Sequence, residues 1–302
     1  MRVAITGGTG LIGAALADAH RARGDDVAIV TRKPREPGHI AWDPGRAWAD
    51  VQRLDGLDVL YHLAGAPIAD RPWTRQRRKV LWESRIDTAA MLREQLVRVR
   101  APKVWVGVSV LGRFGDRGEE VLDDDASQGP GYLAELAAAW EDAHLEAEKL
   151  GCRVAVLRMS VVLDARGGVF PLMIHPFRMG IGGWLGDGRQ YTPWITGRDA
   201  VRALLHLADK PLSGGFNGTV PHPVRHYEWM KALANVLHSP VIAQAPRWAL
   251  RGAFGELADD LLLSSVRAVP RKLSDSGFVW LDPEAEPAFG RLVGELDARR
   301  RA

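Results

Sequence analysis

Apolar residues cluster in short runs along the first half of the chain, and amphipathic stretches separate these runs. The runs are nearly continuous rather than alternating, which is typical of parallel strands buried on both faces. They read "RVAIT", "DVAIVTR", "LDVLYHLAG", "KVWVGVSVLG" and "CRVAVLRMSVVL". Helical spacing follows the first run up to Gly24 and recurs over residues 75–98, 132–150 and 199–208. This alternation predicts an α/β protein with a parallel sheet covered on both faces.

The pattern changes after about Asp164. Glycine and proline become frequent in "RGGVFPLMIHPFRMGIGGWLGDGRQYTPW", and from Gly215 short helices alternate with loops. We therefore predict a cofactor-binding domain and a smaller C-terminal substrate region. The first comprises residues 1–164, and the chain returns to it at residues 196–212. The second comprises residues 165–195 and 213–302.

Composition narrows the possible functions. Hydrophobic residues make up 46% of the 302 residues and charged residues 25%, as in ordinary globular proteins. The net charge of +3 is too small to indicate a nucleic-acid partner, and basic residues between Arg71 and Lys79 fit a solvated helix face. The single cysteine, Cys152, excludes a disulfide within the chain and a cysteine-rich metal site, and the histidine spacing predicts no metal. Without a signal peptide or a run of about 20 apolar residues, we expect a cytoplasmic protein with no membrane segment.

The stretch "ITGGTGLIG" joins the first predicted strand to the first helix. In this context one glycine permits a tight turn, the next lets the backbone approach a pyrophosphate, and the third lets the helix pack closely on the strand. The N-terminus of the helix attracts negative charge. The motif therefore predicts a Rossmann-type doubly wound sheet that binds a dinucleotide.

The end of the second strand discriminates between two cofactors. Sites for NAD usually place an acidic residue about 20 positions after the glycines, where it binds the ribose 2′-hydroxyl. Here Thr31, Arg32 and Lys33 occupy that place. A guanidinium pairs with a 2′-phosphate, so NADP(H) is predicted. The alternative is that Arg32 is a solvated charge at the end of the strand.

Three segments carry a resemblance to a known family: "TGGTGLIG", "HLAGAPIADRPWTRQRRKVLWESRIDTAAML" and "HPFRMGIGGWLGDGRQYTPWI". They resemble the extended short-chain dehydrogenase/reductase superfamily, and in particular its "epimerase family" subgroup with a C-terminal extension, which residues 254–278 resemble. The resemblance implies a Rossmann fold, NADP(H) and a substrate that is mostly unknown among relatives. It implies cofactor contacts at Gly7, Gly10, Leu11, Ile12, Thr31, Arg32, Leu63, Ala64, Gly65, Arg85, Met159 and Ser160.

The superfamily's usual acid–base pair is missing. That chemistry uses a tyrosine and, four residues later, a lysine, which share one face of a helix. Leu136 and Trp140 stand where we align the two. Ser109 aligns with the superfamily's substrate-binding hydroxyl and is the one catalytic candidate. Departures from the subgroup at Pro67, Arg113, Phe114 and "WITGRD" (194–199) are expected to cluster around the substrate pocket.

Two functions remain open. The first is an NADP(H)-dependent oxidoreductase or epimerase that acts on an unknown small molecule. The second is a catalytically silent NADP(H)-binding protein that regulates or senses through a protein partner, since some relatives carry labels linked to cell division. A monomer and a homodimer are both compatible with the sequence. The aromatic residues Phe177, Trp184, Tyr191 and Trp194 either line the substrate site or form core, and Asp123–Asp125 are expected in an exposed loop.

Overall fold

Seven parallel strands form the central sheet of the protein, in a computed structural model that describes residues 1–44 and 50–301. Their order across the sheet is β12-β7-β5-β4-β1-β2-β3. In chain order, the strands are β1 (Arg2–Thr6), β2 (Asp26–Thr31), β3 (His39–Ala41), β4 (Val59–His62), β5 (Val104–Val110), β6 (Val121–Leu122), β7 (Arg153–Met159), β8 (Val161–Asp164), β9 (Gly167–Gly168), β10 (Gly182–Leu185), β11 (Trp194–Thr196), β12 (Gly214–Gly218), β13 (Val241–Ala245) and β14 (Arg267–Ala268). The predicted doubly wound Rossmann-type fold is confirmed.

Helices cover both faces of this sheet. They are α1 (Leu11–Ala22), α2 (Arg75–Trp82), α3 (Thr88–Leu96), α4 (Tyr132–Leu145), α5 (Phe170–Arg178), α6 (Gly197–Asp209), α7 (His226–Leu237), α8 (Arg247–Phe254), α9 (Arg271–Asp275) and α10 (Ala285–Arg301). Single 3₁₀ turns lie at Val51–Leu54, Leu111–Phe114 and Glu146–Leu150, and π turns at Glu83–Asp87 and Ala258–Leu262. Within residues 1–44 and 50–301, no helix has the length and apolar character needed to cross a membrane.

The apolar spacing of α1 explains where it packs. Its buried positions Gly13, Leu16, Ala17 and His20 follow helical periodicity and form one face. Leu16 and Ala17 share a core cluster with Leu204 of α6, so α1 and α6 cover the same face of the sheet. On the other face, residues of α3 pack with Trp105 and Val154 of the sheet.

Two boundaries differ from the sequence interpretation. The apolar run at 152–163 is two strands rather than one, because the chain leaves the large sheet at Ser160 and β8 pairs with β11 in a separate three-stranded sheet. Strand β12 (Gly214–Gly218) pairs with β7 in the central sheet, although we assigned 213–302 to the substrate region. The division into cofactor and substrate parts otherwise stays a prediction.

The basic segment after β4 is only partly a solvated face. Arg77 is 8% exposed, and its Nη2 donates to Asp70 at 2.6 Å. The N-cap Thr74 accepts a hydrogen bond from the Arg77 backbone N–H and begins α2. The expectation of a fully solvated face is therefore wrong at Arg77, because this guanidinium holds the loop that follows β4.

The C-terminal residues form a second core beside the central sheet. It contains Trp194, Trp229 of α7 and Phe289 of α10. The segment "WITGRD" fixes this part of the chain: Thr196 Oγ1 donates to Asp282 at 2.8 Å, and the carboxylate of Asp199 accepts from the N–H groups of Leu281 and Asp282. We expected this segment at the substrate pocket. It instead joins α6 to the chain before α10.

Two buried histidines make the stability of the fold depend on pH. His62 and His144 are fully buried, 5.4 Å apart between ring centroids. Trp105 Nε1 donates to His144 Nδ1 at 3.0 Å, and His144 Nε2–H donates to the Val108 carbonyl at 3.1 Å. Burial lowers the pKa of His144 from 6.5 to about 4, and burial lowers the pKa of His62 well below 6.5.

We therefore expect the free energy of unfolding to fall as the pH drops from 6.5 toward 4. In this window the unfolded chain binds protons that the folded chain excludes, so stability is complete above pH 6.5 and His144 alone accounts for a loss of up to about 3 kcal/mol. Urea unfolding between pH 7 and 5, above the range where most carboxylates titrate, measures the slope. His144→Gln should reduce the slope because it cannot gain the proton; an identical slope in this variant would contradict the assignment.

Candidate functional site

The glycine turn after β1 is built by close backbone contacts. Gly7 has a positive φ of 70°, and an ideal Cβ there would lie 2.8 Å from the Leu63 carbonyl group. An ideal Cβ on Gly13 would lie 2.3 Å from the carbonyl oxygen of Gly7. These two positions therefore require glycine for packing.

Gly10 has a different role in the same turn. It is exposed, it precedes the first residue of α1, and no side chain of the described residues caps the helix there. The first turn of α1 contains no acidic residue. The N–H groups of Leu11 and Ile12 at this helix N-terminus are consequently placed to bind an anion.

Hydrogen bonds hold the loop after β4 against the glycine turn. The hydroxyl of Thr6 lies 2.6 Å from Nδ1 of His62 and accepts from the backbone N–H of Ala64 at 3.3 Å. The backbone N–H of Leu63 donates to the Thr6 carbonyl at 3.2 Å. The predicted residues Leu63, Ala64 and Gly65 thus lie beside the turn at Gly7, with Gly65 exposed.

The predicted 2′-phosphate site lies at the end of β2. Thr31 is half-buried and accepts a hydrogen bond from the Lys33 N–H at 3.3 Å. Arg32 is exposed, and within residues 1–44 and 50–301 its side chain has neither an ion pair nor a hydrogen bond. β2 pairs with β1, so Arg32 and the glycine turn lie at the same edge of the sheet.

Arg85 is a buried cation near this loop. It is 3% exposed, lies in the π turn after α2, and its Nη2 donates to the Ala66 carbonyl at 2.7 Å. Its guanidinium lies over the ring of Trp140 at 4.6 Å. Burial lowers the pKa of the guanidinium to about 10, which leaves it charged at neutral pH.

No carboxylate among the described residues pairs with Arg85, and its Nε is buried without a hydrogen-bond partner. A buried charge without a counter-ion is costly, so a polar or anionic ligand at this position would offset the cost. Trp140 occupies the aligned place of the superfamily's lysine. The cation in this neighbourhood thus comes from the π turn rather than from α4.

A cavity of about 640 Å³ opens beside the carboxyl ends of β5 and β7. Val110 and Leu111 at the end of β5, together with Met159 and Ser160 at the end of β7, line it. Ser160 Oγ donates to the Gly218 carbonyl at 2.7 Å. In sheets of this type ligands bind at the carboxyl ends of the strands, so the cavity lies where a second ligand would meet the cofactor.

The second part of the chain closes the cavity. Helix α5, strand β10, helix α7 and the C-terminal extension supply most of the remaining wall. Of the aromatic residues left undecided by the sequence, Phe177, Trp184 and Tyr191 line the cavity, whereas Trp194 is 1% exposed and belongs to the core.

Among the described residues, the titratable side chains that line the cavity are Tyr191, His226 and Asp260. Burial lowers the pKa of His226 to about 4, so its imidazole is neutral at pH 7. Asp260 Oδ2 accepts from the backbone N–H of Leu133 at 3.0 Å, at the beginning of α4. Our sequence reasoning missed His226 and Asp260 as wall residues, because their distance along the chain from the glycine motif carries no signal of proximity.

The structure argues against Ser109 as a catalytic residue. Its side chain is fully buried, and its Oγ donates to the Ala137 carbonyl at 3.1 Å. The neighbouring Val110 lines the cavity, but Ser109 faces α4. Leu136 and Trp140, in the aligned places of the tyrosine and lysine, are also buried. The departures at Pro67, Arg113, Phe114 and 194–199 are not themselves wall residues, although their neighbours Ile68, Gly112 and Pro193 line the cavity.

Known proteins resemble this chain both in sequence and in architecture. Residues 3–220 match the sequence model of the NAD dependent epimerase/dehydratase family, and residues 245–292 match a domain of unknown function, DUF1731. An epimerase family protein of Mycobacterium bovis is 38% identical over 278 residues, which is 91% of this chain and 92% of that protein.

Two solved structures extend the comparison. The crystal structure of human epimerase family protein SDR39U1 (isoform2) with NADPH has a TM-score of 0.88 and 30% identity, over 98% of this chain and 100% of that chain. The nucleoside-diphosphate sugar epimerase from Corynebacterium glutamicum has a TM-score of 0.79 and 31% identity, over 98% of this chain and 58% of that chain. The resemblance inferred from the sequence is confirmed: this chain belongs to the NAD dependent epimerase/dehydratase family.

Proposed function

We propose that this protein binds NADP(H) and acts as an oxidoreductase or epimerase on a small molecule held in the adjoining cavity. The observation that carries the proposal is the pairing of a helix N-terminus at Gly10, which no described side chain caps, with the exposed Arg32 at the end of the neighbouring strand, which has no ion pair among the described residues. The relative of known structure with NADPH supports the same cofactor.

The residues present fit this cofactor. The N–H groups of Leu11 and Ile12 would bind the pyrophosphate, and Thr31 and Arg32 the adenosine ribose and its 2′-phosphate. Leu63, Ala64 and Gly65 would line the cofactor, and the buried Arg85 would contact it from the π turn. Met159 and Ser160 would lie near the nicotinamide, which when bound donates or accepts hydride.

In this proposal the chain divides by function. Residues 1–164, together with 196–212 and strand β12, hold the cofactor. Residues 165–195 and 219–302 hold the small molecule against it.

A second candidate is a catalytically silent NADP(H)-binding protein that acts through a partner. The observation that favours it is the burial of Ser109, Leu136 and Trp140, which leaves the usual positions of proton transfer without an available acid or base. Oxidation of NADPH by a ligand of the cavity would exclude this candidate.

Replacing Arg32 by glutamate should weaken NADPH binding by about tenfold or more, because a charge-assisted contact becomes a repulsion at the phosphate. NADH affinity should stay within about twofold. Titrations followed by tryptophan fluorescence measure both affinities. Arg98→Glu, an equal charge change on an exposed arginine after α3, is the matched control. NADH binding as tightly as NADPH to the unmodified protein would contradict the role of Arg32.

A further inference from the structure

Every element that forms the cavity wall contributes apolar side chains to it. Large apolar members of the wall are Met159, Met173, Phe177, Trp184, Trp229 and Met230. Val169 and Ile181 also line it and are 39% and 50% exposed, so they mark its opening to solvent. An apolar rim and wall favour a ligand whose apolar surface is removed from water when it binds.

The serine and threonine hydroxyls in this wall have partners within the protein. Ser160 Oγ donates to the Gly218 carbonyl, and Thr192 Oγ1 lies 3.1 Å from Nδ1 of His226. Ser264 Oγ donates to the Asp260 carbonyl at 2.9 Å. A sugar needs a hydrogen-bond partner for each buried hydroxyl, and Ser160 and Ser264 have already committed their donors. His226 Nε2 and Trp229 Nε1 are buried without a partner among the described residues, which suits a ligand with one or two polar atoms better than a sugar with many hydroxyls.

The charge of the cavity wall disfavours an anionic ligand. Its described residues include no lysine or arginine, and Asp260 adds a carboxylate. Arg113 follows Gly112 of the wall in sequence but is not itself a wall residue, and its Nε and Nη1 are buried without a hydrogen-bond partner among the described residues. A diphosphate is usually held by several cationic groups, so the described part of the wall lacks the cations that a nucleoside diphosphate favours.

We propose that the second ligand of this protein is an uncharged, largely apolar molecule rather than a nucleotide sugar. The volume of about 640 Å³ fits a drug-sized molecule. This assignment rests on the proposed function, because it takes the cavity as the place where the cofactor meets its substrate. Ligand binding and cofactor binding are nevertheless separately measurable.

The neutral probe N-phenyl-1-naphthylamine, whose fluorescence rises in apolar sites, tests the assignment on the full chain without cofactor. We expect the probe to bind, 2-decanone to displace it, and UDP-glucose to leave it bound. Decanoate, with the same chain length and a negative charge, should displace it at about tenfold higher concentration or more. Displacement by UDP-glucose, or by decanoate more readily than by 2-decanone, would overturn the assignment.

Two substitutions on α5 localise the probe. Met173→Glu puts a charge into the wall and should weaken probe binding by about tenfold or more. Leu172→Glu adds the same charge to the adjacent residue, which is 73% exposed, and should change the affinity by less than twofold. Equal binding to both variants would place the probe elsewhere and overturn the assignment. Should Met173→Glu not fold, the displacement series on the unmodified protein still decides.

The variant Arg32→Glu tests the apolar-ligand assignment separately from the proposed cofactor. Arg32 lies at the end of β2, away from the strands that line the cavity. The variant should keep probe affinity and lose NADPH affinity. Probe binding without any NADPH binding to the unmodified protein would refute the proposed cofactor alone, whereas NADPH binding without probe binding would refute the apolar ligand alone.

Discussion

Replacing Arg158 by methionine is expected to lower the free energy of unfolding by about 3–5 kcal/mol, because it leaves a buried carboxylate unpaired. Arg158 and Glu141 are 5% and 4% exposed and form two parallel hydrogen bonds of 2.7 and 2.8 Å. Arg158 Nη1 also donates to the Asp124 carbonyl at 2.6 Å. The guanidinium therefore joins β7, α4 and the loop before α4 within one network.

Urea unfolding at pH 7 measures this loss. Replacing both partners, as in Arg158→Met with Glu141→Leu, should recover part of the stability, since no unpaired charge then remains. The matched control is Lys149→Met, which removes an ion pair to Glu146 at 71% and 42% exposure and should change stability by about 0–1 kcal/mol. An Arg158→Met protein as stable as the control would contradict the importance of the buried pair.

Replacing Gly13 by alanine is expected to reduce both stability and NADPH affinity. The added methyl group would meet the Gly7 carbonyl oxygen at 2.3 Å, so either α1 or the glycine turn must shift. Overpacking of this kind costs about 1–3 kcal/mol of stability. The shift also displaces the helix N-terminus from the phosphate, and a loss of one charge-assisted contact corresponds to about tenfold or more in affinity.

Gly290→Ala is the matched control, because Gly290 also lies inside a helix but has open space around its Cβ position. There alanine should stabilise the protein by about 0.5–1 kcal/mol and leave NADPH affinity unchanged. Thermal unfolding and the fluorescence titration measure the two quantities. Unchanged NADPH affinity in Gly13→Ala would show that the close packing of α1 on the turn does not position the phosphate site.

Local sequence patterns predicted most of the fold and most of the proposed cofactor site. The glycine spacing between Gly7 and Gly13 predicted a turn that the structure builds from backbone contacts. Apolar runs predicted five strands of the central sheet, β1, β2, β4, β5 and β7, but not the short strands β3 and β12. Helical spacing predicted α1. Sequence reasoning failed where one apolar run served two sheets, since Ser160 separates β7 from β8 without a break in hydrophobicity.

Local sequence patterns could not predict the contacts between segments that are distant along the chain. Asp124 was expected in an exposed loop but is 2% exposed, where it accepts hydrogen bonds from the N–H groups of Asn217 and Lys272. The burial of Ser109 against α4 also follows from packing rather than from its position in a motif.

The sequence by itself determined the parallel sheet, the glycine turn between β1 and α1 and the absence of the tyrosine–lysine pair, because each depends on residues close together in the chain. Only the tertiary structure decided that Arg85 lies buried over Trp140 with no carboxylate beside it in the part of the chain that the structure describes. It also decided that α5, α7 and the C-terminal extension enclose an apolar cavity beside β7. The physical reason is that burial and charge pairing depend on which distant segments pack together, and a single sequence without its fold does not specify those contacts.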